Sequence, residues 1–286
     1  MVALVTPMLA DETVDFVALE NLIEFHIRSN TKAIVTMGTT GESATLDIEE
    51  HCEVVKFVVD KSAGRIPVIA GTGANSTSEA ISLTQCAKEA GVDACLLVSP
   101  YYNKPTQEGL YLHHKKIAET VDIPQILYNV PGRTAVDMLP ETVARLSKIK
   151  NIIGVKEATG ILARVAEIKA LVTDDFDLYT GDDATGIDFI LQGGHGAISV
   201  TANLVPLVMS QAYDLALAGK GKDAKKLDAQ VAILHEQLFI ESNPIPVKWA
   251  LAKMNLIENN IRLPLTVLSS ESQKVLLGAL KTTGIV

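Results

Sequence analysis

Short, almost continuously apolar runs alternate along this chain with longer stretches whose apolar residues recur every three or four positions. The runs are Val2–Val5, Ala33–Met37, Pro67–Ala70, Ala94–Ser99, Gln125–Tyr128, Ile152–Lys156, Asp177–Thr180 and Gly196–Val200. Strands that are apolar on both faces are expected of a parallel sheet covered by helices. Between the runs the period becomes helical: in Phe16–Ile27, Phe16, Leu19, Ile23 and Ile27 are spaced three, four and four apart. Helix starts carry their own marks. Thr45 precedes the acidic residues Asp47, Glu49 and Glu50, and Ser76-Thr77-Ser78-Glu79 has capping-box spacing. Pro140 opens a helix that ends near Leu146.

Eight strand–helix repeats predict an α/β fold, either a closed (β/α)8 TIM barrel or a doubly wound open sheet. Their number and even spacing favour the barrel. No linker or low-complexity stretch interrupts residues 1 to about 220. Beyond Ala218 the pattern changes, and Gly219–Ile240, Pro244–Met254 and Ser269–Leu280 read as consecutive helices. The expected organisation is a barrel over 1–219 with a C-terminal helical extension over 220–286.

Composition narrows the class. A chain of 286 residues, 48% of them apolar, needs no disulfide or metal staple to hold its core. Lys and Arg number 25 against 34 Asp and Glu, a net charge of −9 that argues against nucleic acid as partner. The longest apolar runs, Met1–Val5 and Ala94–Val98, fall far short of the ~20 residues of a membrane span. The start has no basic segment or hydrophobic stretch of the signal type. Cys52, Cys86 and Cys95 are odd in number and lack metal-ligand spacing, so they read as reduced thiols in a cytoplasmic protein.

In a barrel of this kind the reactive groups lie where strands end. Strand two ends in Gly38-Thr39-Thr40-Gly41-Glu42-Ser43, strand four in Pro100-Tyr101-Tyr102-Asn103, and strand five in Tyr128-Asn129-Val130-Pro131-Gly132-Arg133-Thr134. Strand six ends in Lys156-Glu157-Ala158-Thr159 and strand seven in Gly181-Asp182-Asp183. Strand alternation puts Ile152, Gly154 and Lys156 on one face and Ile153 and Val155 on the other. If the second face meets helices, Lys156 points inward and Gly154 leaves it space. An amine stripped of water there is drawn toward its neutral form, which attacks ketones and aldehydes to give a Schiff base. The ordinary alternative is a rim lysine paired with Glu157.

Tyr128, on the neighbouring strand, can move the protons that carbinolamine formation requires, or be a core tyrosine. The Thr39 and Thr40 hydroxyls with nearby N–H groups can hold a carboxylate, or belong to a plain glycine turn. Arg133 follows a Pro-Gly turn at the mouth, where a guanidinium can grip a carboxylate or simply face solvent. Tyr101 and Tyr102 offer one ring for stacking and one for donation, or two for packing. Metal chemistry is disfavoured: His113 and His114 are adjacent on a helix and diverge, and His26, His51, His195 and His235 have no ligand spacing.

Together, Gly38-Thr39-Thr40-Gly41-Glu42-Ser43, the Tyr128-to-Thr134 run and Gly154-Val155-Lys156-Glu157-Ala158 resemble the 4-hydroxy-tetrahydrodipicolinate (dihydrodipicolinate) synthase family of pyruvate-dependent class I aldolases and lyases. The likeness extends to Asn243-Pro244-Ile245-Pro246-Val247-Lys248. It implies that Lys156 forms an imine with pyruvate and that Tyr128 shuttles protons, linked through Thr39 to Tyr102 of a neighbouring subunit. It further implies that Thr40 holds the pyruvate carboxylate, that Arg133 binds aspartate 4-semialdehyde, and that backbone at Gly181 and Ile198 lines the pocket. The implied product, 4-hydroxy-tetrahydrodipicolinate, feeds diaminopimelate and lysine synthesis, with no metal or other cofactor. A homo-oligomer is implied, a tight dimer pairing into a tetramer. A lysine effector site is implied at Ser43, Ala44, His51, Asn75, Glu79 and Tyr101, although Ile48 stands where inhibited relatives often carry histidine. Relatives also have a few residues before strand one, so some fraying of that strand is expected.

Two other readings remain at this stage. An N-acetylneuraminate lyase or keto-deoxy-sugar-acid aldolase keeps the imine and changes the aldehyde. A catalytically silent barrel would act as a small-molecule sensor or scaffold.

Overall fold

The computed structural model describes all residues, 1–286. Eight parallel strands, β1 Val2–Ala3, β2 Ile34–Thr36, β3 Val68–Gly71, β4 Ala94–Val98, β5 Gln125–Asn129, β6 Ile152–Glu157, β7 Asp177–Thr180 and β8 Gly196–Ala197, pair in chain order. Val2 bridges Ser199 and closes the sheet into a TIM barrel. The helices alternating with them are α1 Phe16–Arg28, α2 Ile48–Ser62, α3 Thr77–Ala90, α4 Gln107–Thr120, the short α5 Pro131–Thr134, α6 Pro140–Leu146, α7 Ala163–Lys169, α8 Gly186–Leu191 and α9 Pro206–Leu217. Four more follow: α10 Gly221–Asp228, α11 Ala232–Gln237, α12 Ile245–Lys253 and α13 Ser270–Thr282. Strand one does not fray, because it is bonded on both sides: the Val2 N–H donates to Ala33 O at 3.1 Å and the Ala3 N–H to Ser199 O at 2.9 Å.

Strand alternation divides the core. Ala3, Val35, Ile69, Leu96, Ile126 and Ile198 face one another inside the cylinder. Their neighbours in sequence, such as Val2, Ile34, Val68, Leu97 and Leu127, pack outward against the helices. This double coverage is why the strands lack polar alternation.

Strand β6 departs from simple alternation. Its pairing with β5 passes from Gln125↔Ile152 to Ile126↔Gly154, so Ile153 is an inserted bulge residue. Ile152 therefore packs outward with Val155, and Ile153 packs against the barrel interior, the reverse of the expected faces for those two isoleucines. Beyond the bulge the expected sense returns, and Lys156 points inward.

Several local expectations are corrected. The cap of α2 is Asp47, not Thr45: Asp47 Oδ1 accepts from the Glu50 N–H at 2.8 Å and Glu50 completes a capping box. At α3 the capping-box reading fails, because the Ser76 hydroxyl meets Ser78 Oγ at 3.0 Å and makes no cap bond. The helix expected over Gly219–Ile240 is two, α10 and α11, with three-residue bonds to the Gln230 and Val231 N–H groups at the break. His113 and His114 do not diverge; their buried rings meet edge to face at 4.9 Å.

The thiol expectation is corrected too. Cys52 on α2 and Cys86 on α3 form a disulfide, since the two packed helices bring residues 34 apart in sequence to a Cα separation of 6.1 Å. Cys95 is a free thiol inside the fold, and burial pushes it up to about 12. No helix is long and apolar enough to cross a membrane.

Candidate active site

The last inward residue of β6 is Lys156, whose side chain is buried with 5% of the residue exposed. It lies directly across the ladder from Tyr128 on β5 and Tyr179 on β7. Lys156 Nζ is 4.2 Å from the centre of the Tyr128 ring. Room for the lysine comes from Gly181 at the end of β7, where a Cβ would lie 2.6 Å from Lys156 Cε. Gly154, expected to provide that space, has a different task. A Cβ there would meet the Asp177 carbonyl oxygen at 2.6 Å, so Gly154 lets β6 and β7 approach. Glu157 does not pair with Lys156. It turns away to accept from Asn129 Nδ2 at 3.0 Å and the Thr159 N–H at 2.9 Å, and burial raises its carboxyl above the ordinary range.

Above the lysine a cavity of about 160 Å³ opens, lined by Lys156, Tyr128, Thr39, Thr40, Arg133 and Gly181 among others. That is room for about five waters, the scale of a small organic acid. Six sequence-predicted residues thus share one chamber. Thr40 Oγ1 accepts from Asn243 Nδ2 at 2.9 Å, which leaves the Thr40 hydroxyl proton to be given elsewhere. The turn that presents it is tight: a Cβ on Gly41 would lie 3.0 Å from the Met37 nitrogen and 3.2 Å from the Leu4 carbonyl. Arg133, on the Pro131-initiated α5, is exposed at the mouth, with Nη2 donating to Asn243 O at 3.2 Å.

Two predicted residues lie outside this chamber's wall. Ile198 packs in the barrel interior with its N–H bonded to Thr180 O at 2.9 Å, and Val200 lines the wall instead. Tyr102 is 91% exposed, with its backbone in the left-handed region at φ 73°. Asn243 and Asp182, named in the sequence without an assigned role, and Phe239, which sequence reasoning missed, also line the chamber. Asn243 stands in the Asn243–Lys248 run that shares the family resemblance, but no role is read for it there.

A second cavity of about 400 Å³ adjoins the first and shares Thr39, Val130, Arg133 and Asn243 with it. Five of the six expected effector residues, Ser43, Ala44, His51, Glu79 and Tyr101, line it. Asn75 does not; its carbonyl accepts from Asn103 Nδ2 at 2.8 Å. His51 is buried with Nε2 at 2.9 Å from Gly71 O, and burial lowers its pKa. Ile48 is exposed at the start of α2 and off the cavity wall. No group of three or more His, Cys, Asp or Glu side chains is arranged to hold a metal ion.

The dihydrodipicolinate synthetase family model matches residues 1–283. The chain belongs to that family. A 4-hydroxy-tetrahydrodipicolinate synthase of Saccharophagus degradans is 63% identical over 271 residues, 95% of this chain and 93% of the relative. Among solved structures, the chloride-inhibited dihydrodipicolinate synthase of Acinetobacter baumannii complexed with pyruvate is 55% identical. It superposes with a TM-score of 0.98 over 100% of this chain and 98% of that one. A dihydrodipicolinate synthase from Cyanidioschyzon merolae with lysine bound is 38% identical, with a TM-score of 0.96 over 100% of this chain and 97% of that one.

Proposed function

We propose that this chain condenses pyruvate with L-aspartate 4-semialdehyde to give 4-hydroxy-tetrahydrodipicolinate, the first committed step toward diaminopimelate and lysine, with Lys156 as the nucleophile. The observation that carries the residue assignment is the Lys156 amine, enclosed in the barrel 4.2 Å from the Tyr128 ring, in a chamber shared with Thr39, Thr40 and Arg133. Pyruvate is the molecule named with the Acinetobacter relative, and a chamber of this size suits it.

In the proposed cycle the Lys156 amine adds to the ketone carbon, and Tyr128 passes protons so that the carbinolamine loses water. The imine withdraws electrons from the pyruvate methyl, which gives up a proton and becomes an enamine carbon. That carbon attacks the aldehyde, forming the new C–C bond. The amino group of the second substrate then adds to the imine carbon and expels Lys156 as the free amine. One water leaves per turnover. The imine is itself the electron sink, so the cycle calls for no metal or other cofactor. Thr40 donates its hydroxyl proton to the pyruvate carboxylate, and the Arg133 guanidinium takes the carboxylate of the aldehyde substrate. A polyol aldehyde has no use for such a guanidinium, which favours this acceptor over a sugar-acid one.

Tyr102, with its exposed phenol, fits a donor offered through Thr39 to the site of a neighbouring copy. The proposal therefore includes a homo-oligomer, a tight dimer pairing into a tetramer. The second cavity is the proposed lysine site, the ligand named with the Cyanidioschyzon relative.

The test is chemical trapping. Incubation with pyruvate and borohydride should add a reduced pyruvyl group to the peptide containing Lys156, and the untreated enzyme should consume aspartate semialdehyde only with pyruvate present. An unmodified Lys156 peptide at saturating pyruvate would overturn the assignment.

A further inference from the structure

The helix α12 and the segment before it lie some 200 residues from Thr40 in sequence yet meet the carboxylate-binding loop at two points. Asn243 donates to the Thr40 hydroxyl at 2.9 Å and accepts from Arg133 at 3.2 Å. Five residues further on, Lys248 donates to Glu42 Oε1. The Lys248 and Glu42 side chains are 2% and 0% exposed, and Lys248 heads the large, fully buried side chains of the protein. The other Glu42 oxygen accepts from the Arg262 N–H at 3.2 Å. Arg262 is held in turn by two bonds of 2.7 Å to Glu50 and by the carbonyls of Thr45 and Glu12 at 3.1 and 2.8 Å.

A buried ion pair gives little net stability, since desolvation offsets attraction, and apolar replacements of similar volume are often neutral or stabilising. What this pair does supply is direction. Glu42 adopts a left-handed backbone at φ 60°, a conformation that a non-glycine residue keeps only when its surroundings fix it. The loop reverses there, two residues after Thr40. Release of the Glu42 carboxylate would free that torsion and swing Thr39 and Thr40 relative to Lys156. None of Glu42, Lys248 and Arg262 lines the substrate chamber.

We propose that Glu42, Lys248 and Arg262 are positioning residues that set the Thr39-Thr40 loop for recognition of the pyruvate carboxylate, so that a C-terminal helix governs binding of the first substrate. This inference rests on the imine reading above. The double variant Glu42→Gln/Lys248→Met keeps shape and volume, leaves no unpaired charge, and retains an acceptor for the Arg262 N–H. We expect a melting temperature within a few degrees of the parent and kcat within threefold at saturating pyruvate. KM for pyruvate should rise tenfold or more while KM for the aldehyde is unchanged. The pyruvate concentration giving half-maximal borohydride trapping should rise in parallel.

A parental KM for pyruvate in the folded double variant overturns the inference, as does a loss of kcat and melting temperature without the KM split. Glu42→Asp, which keeps the charge and shortens its reach, is measured beside it and should show the same split. Failure of both variants to fold would make the pair a structural necessity and overturn the inference too. Trapping of the parent at Lys156 is the control: its absence refutes the imine reading itself, whereas its presence with an unchanged variant refutes only the positioning role.

Discussion

Lys156 and Tyr128 are register partners on adjacent strands, with the lysine nitrogen 4.2 Å from the centre of the tyrosine ring. Parallel pairing at that point holds the two side chains on the same inner face, so their separation is set by the ladder rather than by a loop. Lys156→Ala should abolish pyruvate trapping and lower turnover by at least about a thousandfold, because no other amine occupies the chamber. Tyr128→Phe keeps the ring under the amine and removes only the hydroxyl. It should still trap pyruvate while kcat falls about 10²- to 10³-fold, the usual worth of positioned proton transfer. A Phe variant with parental kcat would remove Tyr128 from the mechanism.

Two glycines flanking the nucleophile differ in what they do for activity. At Gly181 an added methyl meets the flexible Lys156 Cε and the Ala158 Cβ, 2.6 and 2.7 Å away, so the lysine must move. Gly181→Ala should therefore cost about tenfold or more in kcat, together with about 1–2 kcal/mol of stability because the Ala158 Cβ cannot turn away. At Gly154 the obstacle is the Asp177 backbone, which cannot yield cheaply. Gly154→Ala should destabilise by about 1–3 kcal/mol, with the folded fraction near parental in kcat. Urea melts beside single-turnover trapping read both; the reverse outcome would show that the roles of the two glycines have been exchanged.

Arg133 sits at the chamber mouth with one guanidinium nitrogen on the Asn243 carbonyl and the rest of the group free. Arg133→Ala should raise KM for aspartate semialdehyde by about 10- to 100-fold, the scale of a lost charge-assisted bond. The pyruvate dependence of trapping should stay unchanged. If instead the variant loses pyruvate affinity and keeps its aldehyde KM, the assignment of the two carboxylates is inverted.

The barrel was legible because eight doubly covered strands leave an unambiguous apolar signature, and the rule that chemistry sits at strand ends then reduced the chain to a few loops. Lys156 and Tyr128 could be read that way. Alternation alone misplaced Ile152 and Ile153, since a bulge adds a residue without changing the apolar pattern. The same arithmetic gave Gly154 the task that belongs to Gly181, whose contact with Lys156 crosses from one strand to the next. The contacts of Asn243 and Lys248, though both residues stand in the run that shares the resemblance, and the Cys52–Cys86 pairing were out of reach for another reason: each depends on which distant segments touch, and no local periodicity encodes that.

The 400 Å³ cavity gathers the expected effector residues, with His51, Glu79 and Tyr101 lining it together with the substrate-chamber residues Thr39 and Arg133. A bound amino acid there would press on residues that also line the substrate chamber, which supplies a route from effector to turnover. Free lysine should release or absorb heat in isothermal titration at millimolar concentration or below, and should lower the condensation rate. Glu79→Ala, which deletes the carboxylate that can meet the lysine ammonium, should weaken both effects by about tenfold or more. Absence of heat at millimolar lysine would end the proposal for this chain.

Acid stability follows from four histidines packed without charge. Burial lowers the pKa of His26 to about 3, of His113 to about 4, of His114 well below its ordinary value, and that of His51 in the same direction. In the unfolded chain each titrates near 6.5. Between those limits the unfolded state binds protons that the folded state refuses, so stability rises with pH through this window and levels off above about 6.5. His235 works in the opposite sense: burial opposes its charge, but the bond to Asp228 and the nearby Asp183 outweigh it and raise its pKa, so its contribution is lost as pH rises. Four lowered histidines against one raised make the net effect a fall in melting temperature from about pH 7.5 to about pH 5, at up to ~1.4 kcal/mol per pH unit for each titrating histidine. His114 has no hydrogen-bond partner at either ring nitrogen. His114→Leu should therefore gain about 1 kcal/mol at neutral pH and lose less on acidification than the parent. Thermal melts of both proteins at the two pH values decide it: parallel losses would mean that His114 is not among the groups driving acid unfolding.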